Sequence, residues 1–403
     1  MTIRIEPTDI TIEDVLARRP HTVWISPSLT LAGFGQRSRL DPGVGPGRFE
    51  RARWMFAEWV ADHGPILGQI EHIDPAGPYG FASFTFDEEG SSSVVVIPEV
   101  VFASTDRSSW LIRHGSVHQT WGEAPPGSSG APSDRPRFAG SSLPDHLWLE
   151  AVAQAIKEIE IGKLEKVVLA RDHALWSKEP FQLHRVLDKL HQGFPDCMVY
   201  LVDGLVGASP ELLIRRAGDA VNSLALAGSA RRDRDPVIDE RLGSELLASP
   251  KDLHEHALAS ASVGRVLGEV CVSLDRPARP GLLKLANVQH LATPFAGTMA
   301  EPHHVLDLVA RLHPTAAVGG TPTVEAVEMI RSLEGMDRGR YAGPVGIFDP
   351  AGDGEFAIAL RCAEVSGARA RLFAGAGLVE GSVPEDELEE TRIKLQAMLS
   401  ALE

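Results

Sequence analysis

Positive charge is scarce in this chain: 39 lysines and arginines stand against 55 aspartates and glutamates, a formal net charge of −16. Nucleic acid and anionic membranes both need a basic face, so neither is expected as a partner. A small anionic substrate is still allowed. Surface charges are screened over ~8 Å at physiological salt, so such an anion would need a metal or a few cations close by. Cysteine is scarcer still. Cys197, Cys271 and Cys362 are far apart and form no CxxC pair. That excludes a disulfide frame and a zinc site, and reads as reduced thiols in a cytoplasmic protein. No run reaches the ~18 apolar residues that span a bilayer. The opening MTIRIEPTDITIEDV has acids throughout and no apolar h-region, so no signal peptide is expected. No internal repeat is visible.

What is present is globular: 43% hydrophobic and 23% charged residues over 403 positions. That length allows two or three domains, or one large one with a deep pocket. The clearest break is residues 123–145, EAPPGSSGAPSDRPRFAGSSLPD, which reads as a flexible Pro/Gly/Ser-rich loop. Before it, residues 1–122 hold strand-like runs at 22–33, 80–86 and 91–104, consistent with antiparallel sheet. After it, residues 146–403 mix strands and helices. KVVLAR (166–171), EFAIALRCAEV (355–365) and RARLFAGAGL (369–378) read as buried strands. Residues 251–270 and 323–335 read as helices, and Pro384 opens a last one. The mixture predicts an α+β architecture with large sheets.

Two helices carry acids at i, i+3: Asp252 with Glu255, and Glu387 with Glu390. Each pair shares a helix face, where like charges repel unless something neutralises them. Two such faces across a cleft would make an oxygen-only site for a hard cation, most simply Mg²⁺. Two solvated helix faces fit the same spacing, and acids in a first turn suit the helix dipole. Lys166 opens a buried strand; at the mouth of a closed site it could act as a base, or its ammonium could snorkel to water. Glu211 follows a Gly-Ala-Ser-Pro turn; burial would raise its pKa and suit it to be a general acid, while an exposed strand start would do neither. LAGSARR (226–232) and FAGAGLVEG (373–381) read as glycine loops whose N–H groups could hold a carboxylate. The second lacks the third glycine of a dinucleotide fingerprint. Arg361 and Lys394 are nearby cations, or surface residues.

Taken in order, KVVLAR, GASPELLIR, LAGSARR, SPKDLHEH, HLATPFAG, LHPTAAVGG, YAGPVG, IALRCA, LFAGAGL and EETRIKL resemble the chorismate-utilising enzymes over residues 146–403. The resemblance implies an α/β sandwich, two large sheets packed face to face with helices outside. It implies Glu255 and Glu390 as direct Mg²⁺ ligands, with Asp252 and Glu387 holding the metal's waters. Gly375, Gly377 and Lys394 would complete the grip on the ring carboxylate. Arg361, Tyr341, Gly228 and Ser229 would face the enolpyruvyl carboxylate, and His290 would line the ring. Lys166 would be the base that activates water, and Glu211 the acid that protonates the departing hydroxyl.

Ser229 and Ala317 resemble the water-using, isochorismate-forming branch, an isomerase, rather than the amine-using one. Salicylate synthases and aminating synthase components are the alternatives within the family, and a non-catalytic binding protein the alternative outside it. The chain lacks a glutaminase-like cysteine motif, so no glutaminase subunit is expected. It is expected to act as a monomer on chorismate and isochorismate. The first 145 residues look more like the menaquinone-type than the siderophore-type enzymes.

Overall fold

The computed structural model describes residues 3–63, 66–67, 77–114 and 135–403. Residues 123–134 of the Pro/Gly/Ser-rich stretch lie outside these. Within the same stretch Arg137–Gly140 is an edge strand, so those four residues are not the loop their composition suggests.

Two largely antiparallel sheets, of 13 and 10 strands among the described residues, carry the architecture. The larger contains Lys166–Trp176, Arg369–Leu378, Cys362–Ser366 and Leu205–Ser209 as successive neighbours. The smaller contains Val288–Met299, Ala220–Arg231, Leu212–Ala217, Gly354–Ile358 and Pro344–Phe348 in that order. Strands from the first 114 residues extend both sheets. The core lies between the sheets, where Trp24, Tyr79, Phe81, Phe84, Tyr200, Phe348 and Phe356 are wholly buried. A second cluster packs under Leu183–Gly193 and Pro384–Leu402 on the outside of the larger sheet.

Three stretches cross from one sheet to the other, two of them where the sequence suggests a single strand and one where it suggests a turn followed by a strand. Residues 94–104 divide at Pro98, which cannot donate a ladder bond, into Val94–Ile97 and Val100–Ser104. Residues 205–217 divide at Pro210 and Glu211. Residues 354–366 divide at Ala359–Arg361, where Arg361 has φ 47°. The last two crossings lie side by side: Ala208 N–H donates to Arg361 O, and Ile358 N–H to Glu211 O. A residue at such a crossing belongs to neither ladder and faces the cleft where the sheets part. The run 22–33 is likewise two strands, Thr22–Ile25 and Thr30–Phe34, paired as a hairpin.

The two glycine segments are strands rather than loops. LAGSAR ends Ala220–Arg231, with a bulge at Gly228, φ 74°. FAGAGL ends Arg369–Leu378. The small residues serve close packing. A Cβ on Gly377 would lie 2.0 Å from Glu255 Oε1, so only glycine lets the helix carboxylate reach the strand.

The acidic helices start where the sequence places them. Pro250–Val270 is capped by Ser249, whose hydroxyl accepts from Asp252 N–H. Pro384–Leu402 opens with Glu385, Asp386 and Glu387 in its first turn. The first helix packs on the smaller sheet, pinned by His256, whose ring nitrogens lie 2.7 Å from Thr293 Oγ1 and 3.3 Å from Ala227 O. The second packs on Arg369–Leu378 of the larger sheet. The two carboxylate pairs therefore face each other across the cleft.

Candidate active site

The cleft between the sheets holds a small cavity of about 60 Å³. Of the residues singled out from sequence, Glu211, Gly228, Ser229, Glu255, His290, Ala317, Tyr341, Arg361, Gly375, Gly377, Glu390 and Lys394 line it. Lys166, Asp252 and Glu387 do not. Lys166 is wholly buried behind the wall, its ammonium 3.0 Å from Glu255 Oε1. Snorkelling to water is thereby excluded.

At the sheet crossings stand an acid and a cation. Burial pushes the Glu211 carboxyl up to about 8, against the opposing pull of Lys166, Arg361 and Lys394. Glu211 is thus protonated at neutral pH and can give a proton. Arg361 is buried and donates from Nη2 to His290 Nε2 at 2.8 Å. Burial, reinforced by the charges of Arg361 and Lys394, holds His290 well below the usual histidine range. Tyr341 stacks on Phe373, with ring centroids 5.0 Å apart and planes 8° apart. Burial raises its phenol, which stays neutral.

Three of the four helix carboxylates have a lysine. Lys166 meets Glu255, Lys251 meets Glu387 at 2.6 Å, and Lys394 meets Glu390 while also donating to Gly375 O at 2.9 Å. Burial works against ionisation of Glu390, but Lys394 and the Ser229 hydroxyl hold its pKa low. Burial and the neighbouring Glu390 raise Glu387. Burial, aided by Glu255, raises Asp252. Among the described residues no three acidic, histidine or cysteine side chains form a closed metal cage. The donor set is nevertheless all carboxylate oxygen. It fits a cation that takes one or two carboxylates directly and fills the rest of its shell with water and substrate, as Mg²⁺ does. Glu255 and Glu390 line the cavity, while Asp252 and Glu387 stand outside its lining.

The wall also includes Val168, Pro210, Leu226, Val318, Leu360 and Phe373, which the motif reading passed over. All six are apolar and carry no chemical signature. Phe373 was within reach of strand periodicity, since it shares a face with Gly375 and Gly377 at spacings of two and four.

An open cavity that pairs a protonated carboxyl with buried cations and a carboxylate-lined end suits a small, multiply anionic substrate. The family model for chorismate-binding enzymes matches residues 10–403, and the chain belongs to that family. Isochorismate synthase MenF of Bacillus subtilis is 35% identical, over 94% of this chain and 87% of that protein. The salicylate biosynthesis isochorismate synthase of Pseudomonas aeruginosa is 36% identical, over 95% and 85%. The solved structure of a candidate 2,3-dihydroxybenzoate-specific isochorismate synthase, DhbC, from Bacillus anthracis superposes with a TM-score of 0.81 at 31% identity, covering 97% of this chain and 99% of that one. Among the described residues no helix is long and apolar enough to cross a membrane.

Proposed function

We propose that the protein is an isochorismate synthase, a Mg²⁺-dependent isomerase that interconverts chorismate and isochorismate. The observation that carries this reading is Glu211: a carboxyl protonated at neutral pH, on the wall of the cavity that Arg361 and Lys394 also line. A water oxygen adds at C2, the ring double bonds shift, and the C4 hydroxyl leaves as water, so the formula is unchanged. Glu211 gives its proton to the departing hydroxyl. Lys166 takes a proton from the attacking water, once its ammonium has lost a proton and released Glu255. Arg361 and Tyr341, with the Gly228–Ser229 backbone, hold the enolpyruvyl carboxylate. Lys394 and the Gly375–Gly377 strand hold the ring carboxylate. Mg²⁺, carried by Glu255 and Glu390 with Asp252 and Glu387 behind them, would supply the charge that lets an acidic cleft accept a dianion.

Water rather than ammonia is supported by Ala317 and Ser229, both on the cavity wall. Supply of menaquinone is favoured over supply of a siderophore, on the character of the N-terminal 145 residues. A cytoplasmic monomer without a glutaminase subunit belongs to the same reading, and the three cysteines are free thiols. Incubation with chorismate and Mg²⁺, followed by product chromatography, tests it: a mixture of chorismate and isochorismate is expected. Aminated product, or stoichiometric pyruvate, would replace it with an aminating or a salicylate-synthase reading.

A further inference from the structure

The strand Lys166–Trp176 has an interrupted outer edge. Gly320–Thr321 pairs with Val167 and Lys166 at one end, and Arg137–Gly140 with Ala174–Trp176 at the other. Between them, among the described residues, no strand lies alongside, yet the backbone there is buried and its polar groups need partners. Side chains supply them. Arg338 Nη2 donates to Val168 O at 2.8 Å, and Ala170 N–H donates to Glu334 Oε1 at 2.7 Å. Trp148 Nε1 donates to Ala170 O at 3.2 Å. Arg338 and Glu334 are themselves an ion pair, 3% and 1% exposed. The second nitrogen of the fork, Arg338 Nη1, donates to Val318 O at 2.8 Å.

One guanidinium therefore holds two walls of the cavity, since Val168 and Val318 both line it. Val168 is two residues from Lys166; Val318 adjoins Ala317. A direct bond, Val168 N–H to Gly319 O at 2.8 Å, closes the same junction.

We propose that the Glu334–Arg338 pair is a positioning device for the reaction, fixing the strand that bears Lys166 against the turn that bears Ala317. It sets where the base stands relative to the nucleophile's path. The roles of those two residues come from the isochorismate-synthase reading, on which this rests. Lysine at 338 would keep the charge but lose the planar fork, so it could not join Val168 O, Val318 O and Glu334 at once. The groups that grip the carboxylates, Arg361 and Lys394, sit on other elements and would stay in place.

The test compares Arg338→Lys and Glu334→Gln with the parent chain, using chorismate and Mg²⁺, by steady-state kinetics and thermal melting. Arg338→Lys is expected to lower kcat about 10-fold or more, with KM within about threefold, because small misplacements of reacting groups are costly. Glu334→Gln, which keeps an acceptor for Ala170 N–H, should lose less. Parent-like kcat in folded Arg338→Lys would overturn the proposal, as would a loss carried wholly by KM. Should Arg338→Lys fail to fold, parent-like kcat in Glu334→Gln would overturn it. The identity of the parent's product tests the function; the variant-to-parent ratio of kcat tests this inference, whatever that product is.

Discussion

Arg361 donates to His290 Nε2 across 2.8 Å, and that bond fixes the state of the histidine. A guanidinium can only donate, so Nε2 must be an acceptor. The proton then sits on Nδ1, 3.3 Å from Gly228 O, the carbonyl at the bulge. One chain of contacts thus runs from the sheet crossing, through a neutral imidazole, to the strand that carries Ser229. Among the described residues this is the one side-chain hydrogen bond of Arg361, and it leaves the remaining guanidinium N–H groups for a ligand.

His290→Leu should therefore loosen Arg361 without removing it. KM for chorismate is expected to rise about 10-fold, as for a lost hydrogen bond to a charged group. kcat should fall by less. His290→Gln, whose amide oxygen can still accept, should recover most of the loss. Equal KM values for the two variants would show that the bond to Arg361 does not orient it.

Glu211 gives the pH dependence. Burial raises its carboxyl to about 8, so the proton is present below that pH and is lost as pH rises through it. Turnover should fall on the alkaline side with an apparent pKa near 8. Glu211→Gln should cost roughly 10²-fold or more in kcat. The same substitution should raise stability. Between about 4.5 and about 8 the folded chain holds a proton that the unfolded chain has released, so raising the pH favours unfolding. The glutamine variant lacks this penalty. Its melting temperature should exceed the parent's by a margin that grows from pH 5 to pH 8. A constant margin would show that Glu211 does not titrate in this range.

The metal makes a separate test. Lys166, Lys251 and Lys394 neutralise Glu255, Glu387 and Glu390, so the cleft can fold without a cation but does not thereby bind a dianion. EDTA should abolish turnover and Mg²⁺ restore it. Glu255→Gln and Glu390→Gln should each raise the Mg²⁺ concentration needed for half-maximal activity at least 10-fold, as expected when a charged ligand is lost. Full activity in metal-free buffer would remove Mg²⁺ from the mechanism.

The charged residues of this cavity were visible at readable spacings, but it was the ten motifs in order, resembling the chorismate-utilising enzymes, that set them apart from solvated helix faces and strand ends and that brought in His290, Tyr341 and Ala317. The i, i+3 acids, Lys166 at a strand start and Glu211 after Gly-Ala-Ser-Pro all stand beside or behind one cavity. What was not legible is where the chain changes sheet. EFAIALRCAEV is largely apolar apart from Glu355, Arg361 and Glu364, and local periodicity cannot distinguish one strand from two that lie in different sheets. The crossing takes place at Arg361 in the left-handed conformation, an unusual choice for a non-glycine residue that persists where the surrounding structure over-determines it. RARLFAGAGL is the strand that its sequence suggests, although its glycine-rich end also suggests a loop; there the small side chains let a helix carboxylate approach a strand.

Ala317 lines the cavity on the turn between Thr315 and Gly319, whose N–H donates to Thr315 O at 2.9 Å. Its methyl leaves apolar space where a threonine would project a hydroxyl. Ser229 pairs with His290 just past the bulge, and its hydroxyl helps to hold the Glu390 pKa low, which sets it toward the carboxylate rather than toward a nucleophile. Both features leave the nucleophile's path to water. Isochorismate should be the main product, with little salicylate or pyruvate, and added ammonium should yield no aminated product. The two ring compounds are hydroxyl regioisomers of similar energy, so the reaction should run in both directions and stop at a mixture. Ala317→Thr should raise the share of side products while leaving KM for chorismate nearly unchanged, because no carboxylate-binding group is altered. Chromatography after reaction from either side checks both statements. Pyruvate released in step with chorismate consumed by the unmodified chain would show that the enolpyruvyl arm is not retained, and would overturn the assignment.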